Sequence, residues 1–129
     1  VRIVDTNVIV ALIVDDRTEQ REAALAWAEH AASEDDDLLV TESVLVEVCR
    51  VLERSCGLAR QAAADAVALA ALTPPLRPWD PQLAEGALAL MSRRPSLSIT
   101  DCLLAQRAAR HDASILTFDA ALLRGLRKT

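Results

Sequence analysis

At 129 residues the chain has room for one domain with a modest core and for no second folding unit. Hydrophobic residues make up 52%, which excludes a disordered chain. The net charge of −5 speaks against a nucleic-acid partner, because phosphate contacts require cations. Two features weaken that objection. Acids gathered around a metal ion are neutralised by it, and every basic residue except Lys128 is Arg, which suits bidentate phosphate recognition. No apolar run reaches the ~18 residues of a membrane helix, and no basic segment marks a signal peptide. Cys49, Cys56 and Cys102 are odd in number and lack CxxC spacing, which argues against a disulfide framework and for a reducing cytoplasm. With Trp27, Trp79 and Phe118 as the only aromatic residues, the core must be built from Ala, Leu, Val and Ile.

In chain order, Arg2–Val4 is a short strand followed at once by a helix to about Ile13. A second helix runs from about Thr18 to Ala32, with Ala24, Leu25, Trp27, Ala28 and Ala31 at helical spacing. The acidic turn from Glu34 to Asp37 reads as a solvated loop leading into a strand, Leu38–Val40. Thr41 is placed to cap a third helix from Glu42 to Arg54, and Gly57 to break it before an Ala-rich helix from Ala59 to Leu72. A proline-rich connection holds a short strand near Leu76–Trp79, and Asp80-Pro81 opens a helix to Ser92. The pattern ends with a helix from Thr100 to His111, a strand from Ser114 to Phe118 and a helix from Ala120 to Leu126. Strands alternating with helices predict an α/β domain: a small parallel sheet flanked by helices on both faces. Ligands of such sheets bind beyond the carboxyl ends of the strands.

Four carboxylates occupy such places or inward helical positions. Asp5 ends the first strand and Asp119 the last, where each also suits a helix N-cap. Glu47 borders the stripe formed by Val44, Leu45, Val48, Val51 and Leu52, so it calls for a compensating cation, either a metal or an Arg. Its rival Glu42 falls in the first turn, where the helix dipole accounts for it, while Arg50 and Glu53 face solvent. Asp101 precedes Leu104, Ala105 and Ala108 on what the spacing makes the inward face, and the dipole favours it there as well. Crowded carboxylates repel unless a cation lies between them, and Mg²⁺ or Mn²⁺ prefers such all-oxygen ligands. An ion of this kind activates water and offsets charge at phosphorus. His30 and His111 read as surface residues, so the pattern points to metal-assisted hydrolysis rather than histidine-based cleavage.

Four segments resemble the motifs of PIN domains: Ile3-Val4-Asp5-Thr6-Asn7-Val8-Ile9, the stretch from Val44 to Leu52, Ser98 to Ala105, and Ile115 to Asp119. Their order and the size of the chain resemble most closely the VapC-type toxins of toxin–antitoxin pairs. The resemblance implies a Mg²⁺- or Mn²⁺-dependent endoribonuclease, a homodimer inhibited by a VapB-type antitoxin, with RNA, tRNA included, as substrate. It carries catalytic and metal roles onto Asp5, Glu47, Asp101 and Asp119. Asn7 and Thr117 match polar positions that orient carboxylates or water. Hydrolysis in line would leave a 5′ phosphate and a 3′ hydroxyl. Arg93, Arg94 and Arg124, with Arg127 and Lys128, are candidates for holding RNA, or are solvated helix-end charges.

Other readings stay open. A PIN-like nuclease of RNA processing would carry the same motifs. A phosphatase with Asp5 as nucleophile would want an acid at Asn7, and a phospho-acceptor domain would want a Lys after the last strand, where only Lys128 is near. An α/β interaction module would use the same acids merely as caps.

Overall fold

The computed structural model of the chain describes residues 1–16 and 18–127. Three short strands, β1 (Arg2–Ile3), β2 (Leu38–Val40) and β3 (Leu76–Pro78), form a parallel sheet in the order β1-β2-β3. Seven helices accompany it among the described residues: α1 (Thr6–Ile13), α2 (Glu19–Ser33), α3 (Glu42–Arg54), α4 (Arg60–Ala71), α5 (Pro81–Arg93), α6 (Ile99–His111) and α7 (Ala120–Arg127). The register pairs Arg2 with Leu38, and Leu38 with Leu76. Leu38, Val40, Leu76 and Pro78 are buried, whereas Arg77 between the last two reaches solvent, which is the two-residue alternation of a strand. Each strand runs within two residues into a helix, so its carboxyl end is also a helix start.

Local chemistry explains those starts. Thr18, Thr41, Asp80 and Ser98 each accept a backbone N–H from the first turn with their side-chain oxygen, and Pro81 opens α5 where its missing N–H matters least. The core between the sheet and α3 to α6 is aliphatic, with Leu45, Leu52, Leu83, Leu88, Met91 and Leu97 fully buried. The three aromatic residues stay outside it, Trp27, Trp79 and Phe118 all being exposed.

Three expectations from the pattern fail. The segment from Ser114 to Phe118 is not a strand. Helix α6 ends on Asp112 in the left-handed conformation, Ala113 N–H closes on Ala108 C=O, and the following residues join no ladder. A strand needs a partner for its backbone groups, and here Leu116 and Phe118 face solvent instead. Second, α2 buries only Ala24 and Ala31, because it packs on α1 through small residues; Leu25 and Trp27 on the expected stripe are exposed. Third, α6 turns Ile99, Cys102 and Leu103 inward, so Leu104 is exposed and Ala105 and Ala108 are only partly covered.

Candidate active site

The three strand ends present three acids, and they meet different partners. Past β2, Glu42 in the first turn of α3 takes a hydrogen bond from Arg107 of α6 at 2.6 Å. Past β3, Asp80 caps α5 and receives a two-pronged grip from Arg110, with one arm at 3.1 Å, while Arg107 lies 3.9 Å away. The Arg110 hydrogen bond holds the Asp80 carboxyl below the usual carboxylate range, and the cap N–H of Leu83 acts in the same direction. Such forked guanidinium–carboxylate pairs tie helices together. Glu42 and Asp80 are thereby committed to fixing the starts of α3 and α5 against α6.

Past β1 the arrangement differs. Asp5 caps α1, with Oδ1 accepting the Thr6 N–H at 2.8 Å. Thr6 itself is buried, and its hydroxyl donates to Glu47 Oε2 at 2.9 Å, across 41 positions of sequence. One threonine thus touches both acids, its backbone holding Asp5 and its side chain holding Glu47. The Glu47 side chain is exposed rather than set in the apolar stripe: α3 buries Leu45, Val48, Cys49 and Leu52, and Val44 and Val51 are only partly covered. Its anchor is the Thr6 hydroxyl and not an Arg. Glu53, expected in solvent, is partly covered and paired with Arg60 at 3.0 Å.

Sequence reasoning passed over Thr6. A detectable signal was its place three residues before Ile9, on the inward side of α1, where a polar side chain needs a buried partner.

Asp101 is partly buried in the first turn of α6, and Oδ2 accepts the Ser98 N–H while the Ser98 hydroxyl accepts the Asp101 N–H, a reciprocal capping box. Asp119 is exposed, and its Oδ1 accepts the N–H groups of Ala121 and Leu122 at the start of α7. Thr117 fixes Asp119 through a hydroxyl that accepts the Asp119 N–H at 3.0 Å. Asn7 instead lines a cleft between α1 and α2 with Trp27. Arg93, Arg94 and Arg124 line one pocket of about 430 Å³, and Lys128 lies outside the described residues.

Asp5 and Glu47 are therefore brought to one threonine, while Asp101 and Asp119 are each fixed at a separate helix start. Among the described residues, no three His, Cys, Asp or Glu side chains stand close enough together to cage one ion. The chemistry of the donors nonetheless fits a hard divalent cation. Each of these bonds engages a single carboxylate oxygen (Asp5 Oδ1, Glu47 Oε2, Asp101 Oδ2, Asp119 Oδ1) and leaves the other out of it. Among the described residues no basic side chain pairs with any of the four, in contrast to Glu42, Glu53 and Asp80.

No curated protein and no solved structure matches the chain. The PIN domain family matches residues 2–125, which takes in all four acids and all three strands. PIN domains are generally nucleases that bind RNA. With a match of that extent, the chain belongs to the PIN domain family.

Proposed function

We propose that the protein is a divalent-metal-dependent endoribonuclease and the toxin of a VapBC-type pair. The observation that carries the reading is the Asp5–Thr6–Glu47 connection. It joins two carboxylates from distant parts of the chain at the carboxyl end of β1 and leaves them without a basic partner among the described residues. Asp5, Glu47 and Asp101 are the residues to hold Mg²⁺ or Mn²⁺, with Asp119 supporting them. Bound there, the ion would activate water and offset charge at phosphorus.

The chain's own residues do the positioning. Thr6 holds Glu47, Ser98 holds Asp101 through its cap, and Thr117 holds the backbone of Asp119. Asp119 follows a segment that joins no ladder and is held at the start of α7 by the N–H groups of Ala121 and Leu122. The toxin assignment, with a VapB-type antitoxin, a homodimer, tRNA among the substrates and a cytoplasmic setting, rests on the four-motif resemblance. The absence of any described helix long and apolar enough to cross a membrane and the three free cysteines accord with it.

A second reading, a non-catalytic α/β interaction module, is favoured by one observation: no three of the described acids share a cage. Calorimetric titration of Mn²⁺ separates the two. A nuclease binds Mn²⁺ and loses that binding in Asp101→Asn and Asp5→Asn; a scaffold binds none, or binds equally in the variants.

A further inference from the structure

The connection from α5 to α6 and the helix α7 border a pocket of about 430 Å³ whose charged lining among the described residues consists of Arg93, Arg94 and Arg124. We infer that this pocket is a phosphate-binding subsite that grips the RNA strand beside the bond to be cut, an assignment that rests on the nuclease reading. In a chain of net charge −5, the two exposed guanidinium groups of Arg93 and Arg124 gather positive charge at one cavity. Arg21, Arg60, Arg77, Arg107 and Arg110 are each paired with a carboxylate. Arg93 and Arg124 are exposed and make no such pair among the described residues. The dipoles of α5 and α7 favour Arg93 and Arg124 in the last turns of their helices, but they do not account for both lining one cavity.

The position of the pocket specifies its ligand. Ala121 forms part of the wall, and its N–H is the group that Asp119 Oδ1 accepts at 2.9 Å. Ser96 also lines it, two residues before the Ser98 that shares a capping box with Asp101. The cavity thus adjoins the two candidate acids that stand apart from the Asp5–Glu47 pair. An RNA strand crossing between the four carboxylates presents its neighbouring phosphates to these arginines. Packing holds the pocket in shape: Gly125 lies against the buried Leu97, and a Cβ there would come within 2.6 Å of Leu97 Cδ2.

The test is binding of a fluorescently labelled single-stranded RNA, measured by anisotropy in chelator so that no strand is cut, over a range of KCl. The slope of log affinity against log salt should shrink by about 0.7 for each arginine removed in Arg93→Ala and Arg124→Ala, with ~5-fold weaker binding per residue near 0.1 M salt. Arg77→Ala, which lies in β3 and pairs with Asp37, should leave the slope unchanged, and Arg124→Lys should keep most of it. Replacing one phosphate next to the cut by an uncharged methylphosphonate should weaken binding to the native protein and have no further effect in the double variant. An unchanged slope in the double variant, or an equal loss in Arg77→Ala, overturns the assignment. Cleavage that persists in the double variant with unaltered KM leaves the nuclease reading standing and removes the pocket; RNA that is gripped in this way but never cut does the reverse.

Discussion

Replacing Thr6 by Val separates the positioning of Glu47 from the stability of the fold. Thr6 is 3% exposed and donates to Glu47 Oε2 at 2.9 Å. A hydrogen bond to a charged acceptor contributes about 1.5–3 kcal/mol when shielded, and the exposure of Glu47 reduces this to roughly 0.5–1 kcal/mol. Valine keeps the volume, and burying its extra methyl returns up to about 0.8 kcal/mol. The two effects nearly cancel, so the melting temperature should move by less than about 4 °C. The carboxylate, however, loses its anchor. Removing such a supporting partner of a metal ligand typically weakens affinity by about 10–100-fold.

Thermal unfolding with and without Mn²⁺, run on native protein, Thr6→Val, Glu47→Ala and the double variant, reads both quantities. Expected are near-native melting of Thr6→Val without metal, a loss of most Mn²⁺ stabilisation, and strong non-additivity with Glu47→Ala. Thr6→Ser should restore the response. Additivity of the two substitutions to within about 0.5 kcal/mol would show that Thr6 does not act through Glu47 and would refute the reasoning.

Asp80 should contribute to the acid limb of stability. Its carboxyl titrates below the usual range because Arg110 hydrogen-bonds it, so its contribution is complete above the unfolded value near ~3.9 and fades as pH falls through the folded one. Asp80→Asn, which can still cap α5, should lower the urea midpoint at pH 6 and flatten its fall toward pH 3; an unchanged fall contradicts the pairing. Burial pushes the thiols of Cys49 and Cys102 up to about 12, so native protein near pH 7.5 should take up one equivalent of a thiol reagent, at the exposed Cys56. Two or more equivalents in folded protein would show that those helices open. Gly125→Ala should destabilise by roughly 1–3 kcal/mol through the clash with Leu97, outweighing the ~1 kcal/mol gain in helix propensity. Gly86→Ala, whose new Cβ would meet only the movable end of Gln106, should be neutral or stabilising by urea unfolding.

Elements fixed by local chemistry were legible in the sequence. Thr41, Asp80-Pro81 and Gly57 punctuate the chain where the spacing predicts, and β2 and α3 fall on the expected residues. Asp5 was visible as a strand-end acid and Asp80 as the cap before Pro81 for the same reason, whereas Asp119, expected at the end of a last strand, follows a segment that joins no sheet. Partnership across the fold was not. That Glu42 belongs to Arg107 and Glu47 to Thr6 depends on which helices pack together, and no local pattern encodes it. The β-like composition of Ile115 to Phe118 was equally misleading, because alternation marks a segment able to pair but does not supply the neighbour. On α6 the stripe chosen from Asp101 onward was two residues out of phase with the buried set of Ile99, Cys102 and Leu103, an ambiguity that an Ala- and Leu-rich helix invites.

The most direct test of the central claim is cleavage of total cellular RNA, tRNA included, by the antitoxin-free protein with Mn²⁺, beside a chelator control and Asp5→Asn. The account predicts discrete fragments bearing 5′ phosphates and 3′ hydroxyls that disappear in both controls. Fragments ending in 2′,3′-cyclic phosphate, or cleavage that survives chelation and the loss of Asp5, would contradict it.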